Sequence, residues 1–90
     1  MEIHEIKKYT NLLDIEPNNI NYLYKLGNIY EKQNLFMKAI IDCYIKIIKI
    51  EPNNIIILNQ IGICYFNSSQ NKLAIHYFNK TLQIKELPDI

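Results

Sequence analysis

The side chains in this sequence best suited to ligate zinc or to serve as nucleophile and base near neutral pH are Cys43, Cys64, His4 and His76. The cysteines lack CxxC spacing, so a zinc site has no framework. Neither histidine has a histidine or carboxylate one helical turn away, the spacing metal chemistry wants. Both cysteines fall on the apolar sides of helical patterns, where a free thiol is a small buried hydrophobe. A single disulfide is arithmetically open; reduced core thiols are the expectation. There is no glycine-rich phosphate loop and no nucleophile-and-base pair. The reading is a non-catalytic chain with no metal and no cofactor. Asn67-Ser68-Ser69 and Asn79-Lys80-Thr81 match the glycosylation sequon, as chance allows among 12 asparagines.

The overall balance agrees. Ten lysines face nine acids, for a net charge of +1 over 90 residues, and arginine is absent. Arginine is the side chain that best forks onto phosphate or guanine, so electrostatically driven binding to nucleic acid or membrane is disfavoured. No apolar run approaches the roughly 18 residues of a membrane helix. The opening MEIHEIKKYT has charges where an export signal would be apolar, so a cytoplasmic location is expected. At 49% hydrophobic, the chain reads as one small globular domain over 1–90.

What must position any functional side chain is a repeat. Glu16-Pro17-Asn18-Asn19-Ile20 returns as Glu51-Pro52-Asn53-Asn54-Ile55, 35 residues on. The same offset carries Leu26-Gly27 onto Ile61-Gly62, Tyr30 onto Tyr65 and Ala39-Ile40 onto Ala74-Ile75. It also carries Tyr9 onto Tyr44 and Leu12-Leu13 onto Ile47-Ile48. The chain therefore divides into a leading half unit (1–16), two units (17–51 and 52–86) and a tail (87–90).

Each unit holds two helical patterns. Ile20, Leu23, Leu26 and Tyr30 recur at helical spacing, as do Ile55, Leu58, Ile61 and Tyr65. Pro followed by Asn-Asn supplies a stop and an N-cap. Asn34 and Asn67-Ser68-Ser69 interrupt each unit in the middle. Five helices are expected, over about 2–15, 19–33, 36–50, 54–67 and 71–86, antiparallel across short loops. Gly27 and Gly62 lie in mid-helix, where glycine costs about 1 kcal/mol relative to alanine, so another helix should cross there. Ala39 and Ala74, the only alanines, suit the same close contact.

At these residues the sequence resembles the tetratricopeptide repeat. Leu26-Gly27, Tyr30, Ala39 and Pro52 sit on that family's signature, as do Gly62, Tyr65 and Ala74. The family period is 34 and this one is 35; the extra residue falls between Ala39 and Pro52. A 35-residue helical pair also describes the RNA-binding pentatricopeptide repeat, and the spacings of 13 (Ala39 to Pro52) and 14 (Ala74 to Pro88) do not decide. Leu-Gly-x-x-Tyr and Glu-Pro-Asn-Asn favour the tetratricopeptide resemblance.

The resemblance implies an all-α fold: helix-turn-helix pairs stacked as a short right-handed α-solenoid whose first helices line a concave face that binds a peptide or helix. On that face it places Asn21, Tyr24, Lys25 and Asn28 from one unit, and Ile56, Asn59, Gln60 and Ile63 from the next. Glu31 and Phe66 lie on the same sides. Some family members clamp acidic chaperone tails; of the positions they use, Asn28 matches, while Tyr24 and Gln60 depart. The expected partner is another protein.

The ends suggest an alternative. The first helix carries Ile3, Ile6, Tyr9, Leu12 and Leu13, and the last carries Ile75, Phe78, Leu82 and Ile84. Repeat arrays need polar caps, so apolar ends of this kind fit either a piece of a longer array or association sites that would serve a homo-oligomer.

Overall fold

The structure, a computed structural model, describes residues 2–85. The tail 87–90, the end of the last span at Glu86 and the spacing to Pro88 lie outside the described residues. Five helices follow one another: α1 (Glu2–Ile15), α2 (Ile20–Lys32), α3, α4 (Ile55–Asn67) and α5 (Asn71–Lys85). Helix α3 is composite. It begins as Phe36–Ala39, passes through a π-helical turn at Ile40–Tyr44 and ends as Ile45–Ile50. The backbone stays helical at both joints. No strand occurs among the described residues, and the helices lie where the apolar spacing placed them. None is long and apolar enough to cross a membrane.

The repeated Pro-Asn-Asn turn works as its composition predicts. Asn19 and Asn54 cap α2 and α4, their side chains accepting from the backbone N–H of Tyr22 and Ile57, both at 3.1 Å. Each satisfies a donor that the first helical turn leaves unpaired. The mid-unit breaks are also twins. Asn34 and Ser69 adopt φ of 61° and 63°. Leu35 N–H then reaches back to Tyr30 C=O at 2.9 Å, and Gln70 N–H to Tyr65 C=O at 2.8 Å. This is the Schellman closure, which needs one left-handed residue after the helix. The loops that result hold three or four residues, so successive helices run antiparallel.

The π turn locates the extra residue of the 35-residue period. From Ala39 to Tyr44 is five positions; from Ala74 to Phe78, in the α-helical α5, is four. Ala39-Ile40 matches Ala74-Ile75, and Asp42-Cys43-Tyr44 matches His76-Tyr77-Phe78, so Ile41 is the residue left over. It is 60% exposed, as an inserted residue on a helix should be. A π bulge absorbs one residue while keeping the faces on either side in register.

That register decides the core. Leu23, Leu26 and Tyr30 of α2 pack with Ala39, Ile40, Cys43, Tyr44 and Ile47 of α3 and with Ile57, Ile61 and Cys64 of α4. Ile6, Tyr9 and Leu13 of α1 close one end. The order of packing follows the chain: α1 on α2, α2 on α3, α3 on α4, α4 on α5. The result is a slab of 41 × 32 × 16 Å.

The two glycines meet something other than the alanines. A Cβ on Gly27 would lie 2.7 Å from Cζ of Tyr44, and one on Gly62 2.6 Å from Cε1 of Phe78. Each glycine makes room for an aromatic ring of its own unit's second helix. The expected crossing is there, but its partner is a flat ring, because a bare helix backbone accepts a ring face more closely than it accepts a branched side chain.

Candidate interaction surface

Helix α2 buries Leu23, Leu26, Gly27, Ile29 and Tyr30, and α4 buries Ile57, Leu58, Ile61, Gly62 and Cys64. The remaining sides of these first helices form the surface the resemblance singled out. Asn21, Tyr24 and Lys25 are exposed on α2, and Ile56 and Asn59 on α4. Asn28, Gln60 and Ile63 are half-buried. Phe66, one turn further along α4, is 61% exposed and Ile56 64%, large values for apolar side chains.

Two of the half-buried residues are tied into one polar cluster. Gln60 Nε2 donates to both carboxylate oxygens of Glu31 at 2.7 Å. The Tyr44 hydroxyl contacts the same carboxylate through Oε2 and lies 2.8 Å from the Asn28 side-chain amide. One hydroxyl hydrogen serves one acceptor, and the carboxylate is the stronger. Asn28 completes the set when its amide is turned so that the nitrogen donates to the Tyr44 oxygen. Burial, and then the bond to Glu31, push the Tyr44 phenol well above its ordinary range, so it stays a donor. The cluster joins α2, α3 and α4 and fixes the spacing between the two first helices. Sequence reasoning placed Tyr44 only in the repeat, as the match of Tyr9. The signal for more was its hydroxyl, which a buried tyrosine must satisfy.

The remaining predicted residues sort by neighbourhood. Ile56, Asn59 and Gln60 line one depression of about 230 Å³ between α4 and α5, with Ile55, Thr81 and Lys85. Lys25 turns toward α1, its Nζ 5.9 Å from the Tyr9 ring centre. Asn21 and Tyr24 stand apart from that depression, one helix away. A different hollow, of about 390 Å³, lies where α1, α2 and α3 meet and is lined by Thr10, Asp14, Tyr30, Asp42 and Lys46 among others.

Cys43 and Cys64 are free and buried. Burial, more than the nearby Asp42 charge, pushes the Cys43 thiol up to about 12. Burial raises Cys64 further. Neither is a thiolate at neutral pH, so neither is a ready nucleophile or ligand. His4 and His76 are exposed; His76 sets its ring edge-on to Tyr77 at 5.3 Å. Among the described residues no three of His, Cys, Asp and Glu gather in a way that could hold a metal.

With this geometry the relationships to known proteins are specific. The tetratricopeptide-repeat family model matches residues 8–41, from within α1 through α2 into the π turn of α3. The matched stretch is 34 residues long, one period of that family. Among solved structures, the crystal structure of MamA protein is similar over 94% of this chain, with a TM-score of 0.83 and 27% sequence identity. The chain spans about half of that protein, 49% of its length. No curated protein matches. Residues 8–41 are thus similar to a tetratricopeptide repeat, and the chain has the helical-repeat fold of that family. That family and fold belong to protein–protein interaction modules.

Proposed function

We propose that the chain is a non-catalytic module of a cytoplasmic assembly that holds a peptide or helix of a partner protein along the outer sides of α2 and α4. In this reading it is one domain, with units 17–51 and 52–86 behind a leading helix. The observation that carries the reading is the pairing of exposed apolar side chains with amides on the first helices. Tyr24 and Ile56 offer apolar contact. Asn21 and Asn59 beside them offer donors and acceptors to a peptide backbone. The Glu31–Gln60 bond holds the two helices at fixed spacing, so the surface is set before a partner arrives, which lowers the entropic cost of binding.

Capture from a lysate of the source cells, with wild type beside the Tyr24→Ala/Asn59→Ala double variant, tests this. Both side chains are exposed, so the variant keeps its fold. A protein held by wild type and lost by the variant supports the reading. Equal capture by both removes it.

A further inference from the structure

Helix α4 carries no charged residue, and α2 carries three: Lys25, Glu31 and Lys32. The two lysines share one side of α2. They are seven residues apart, which returns to nearly the same direction on a helix, and Lys25 Nζ lies 5.9 Å from the centre of the Tyr9 ring of α1. Glu31 faces the other way, toward α4, where Gln60 Nε2 donates to both of its oxygens at 2.7 Å. The valley between the two first helices therefore holds one formal charge, and that charge is negative.

The charge has no counterion. The carboxylate is held by the Gln60 amide and the Tyr44 hydroxyl, both neutral. The Cys64 thiol, raised by burial and then by Glu31, is neutral as well. Among the described residues the one side-chain ion pair joins Lys38 to Asp42, on α3. Glu31 is half-buried, so water screens it less than a fully exposed carboxylate. It lies in the last turn of α2, where the helix dipole adds its own negative end. A neutral amide oxygen would accept from Tyr44 and Gln60 without the cost of burying a charge. A carboxylate in this place is suited to a further, cationic donor, because bonds between charged partners are the strong ones.

Tyr24 precedes Glu31 by seven residues and so stands on the same side of α2, about 10 Å along the axis. We propose that the segment held in this valley is a basic one, which sets an arginine or lysine on the Glu31 carboxylate and an apolar side chain on Tyr24. In an extended chain about 10 Å is three residues. The exposed amides of Asn21 and Asn59 suit an extended backbone, whose own donors and acceptors are free. Half-buried Ile63, one turn after Gln60, offers apolar surface to the stem of the basic side chain. The inference rests on the groove reading above and adds the charge and spacing of the partner.

Selection from a phage library of random peptides of about twelve residues, on the immobilised 90-residue chain, tests it. The enriched peptides should share an arginine or lysine three residues from an apolar residue. Fluorescence anisotropy then compares a selected peptide with its twin in which citrulline, of the same shape but neutral, replaces the basic residue. Wild type should hold the basic peptide at least about tenfold more tightly, with the gap narrowing in high salt. Glu31→Gln keeps an acceptor for Tyr44 and removes the charge, so it should shrink the gap to about twofold or less. A merely structural loss at Glu31 would weaken both peptides equally and leave the gap intact, which would overturn the inference. So would peptides that Tyr24→Ala/Asn59→Ala releases but that share no basic residue; the groove reading would then stand alone. Enriched peptides that all bind the double variant as well as wild type, or no enrichment at all, would remove both.

Discussion

The Tyr44 ring fills the space that a side chain at residue 27 would need. Cζ of Tyr44 lies 2.7 Å from the place of a Cβ on Gly27, and the tyrosine itself is fully buried and held by Glu31. Phe78 stands in the same relation to Gly62 but is only half-buried and carries no hydroxyl. The two contacts are equivalent in position and unequal in freedom.

That inequality predicts different costs for one substitution. Replacing glycine by alanine in a helix gains about 1 kcal/mol of propensity, while overpacking a closed core costs about 1–3 kcal/mol. At Gly27 the ring cannot yield without breaking its bond to Glu31, so Gly27→Ala should be destabilising. At Gly62 the half-exposed Phe78 ring can swing outward, so Gly62→Ala should come out near neutral. Thermal unfolding followed by circular dichroism should give a clearly lower Tm for Gly27→Ala alone. Equal losses at both sites would contradict the account.

The buried thiols and the Tyr44 phenol predict alkaline lability. Cys43 rises from an ordinary 9.0 to about 12 on folding, chiefly by burial, and Cys64 and Tyr44 move the same way. The native chain then keeps protons that the unfolded chain sheds, so stability is complete below pH 9 and falls as pH rises toward 12. Each thiol should contribute a slope of about 1.4 kcal/mol per pH unit in that window. Urea unfolding at a series of pH values measures it, and Cys43→Ala should flatten the slope. A thiol reagent at pH 8 should find both cysteines slow until urea is added. A stability that stays level from pH 9 to 11 would count against buried, protonated thiols.

Much of this architecture was legible because the code is local. Pro-Asn-Asn spells a stop and a cap within three residues, and the capping bonds of Asn19 and Asn54 followed from it. The helix faces were legible from spacing. What escaped is what depends on two segments at once. The spacing required a crossing at Gly27 but could not name Tyr44 as its partner over Ala39, because that choice rests on a π turn whose position no local residue announces. Likewise Asn28 and Gln60 read as free surface amides. Their bonds reach Tyr44 and Glu31, 16 and 29 residues away. Tyr24, Ile56 and Asn59 are exposed on α2 and α4.

Ser69 predicts a stabilising change. It holds φ of 63° to close α4, a conformation that costs an L-residue with a Cβ roughly 1–2 kcal/mol. Its hydroxyl plays no part in the bonds of that turn, which use Ser69 N–H and the neighbouring Ser68 side chain. Ser69→Gly should therefore raise stability by about 1 kcal/mol, a gain of roughly 4–8 °C in Tm for a domain of this size. Asn34→Gly should gain less, because asparagine tolerates the left-handed region better. Scanning calorimetry of the two single variants checks the order, and a Tm unchanged by Ser69→Gly would show that the turn is unstrained.

The π turn makes the most specific prediction. If Ile41 is the residue left over, deleting it should convert Ile40–Tyr44 into regular α-helix. Ala39-Ile40-Asp42-Cys43-Tyr44 would then copy the spacing of Ala74-Ile75-His76-Tyr77-Phe78. Ala39 and Ile40 keep their places, and Tyr44 still reaches Gly27. Lys38 and Asp42 move from four residues apart to three, which leaves them neighbours on a helix. Deleting His76 is the control. It is exposed, like Ile41, but it sits in unbroken α-helix, where losing one residue turns everything after it by about 100°. Phe78 would leave Gly62 and Thr81 would leave the core. The deletion of Ile41 should fold with full helicity and a Tm within a few degrees of wild type, whereas the deletion of His76 should lose several kcal/mol or fail to fold. Equal damage from both deletions would mean that the extra residue is held in place by its own contacts, and that the π turn is more than an accommodated insertion.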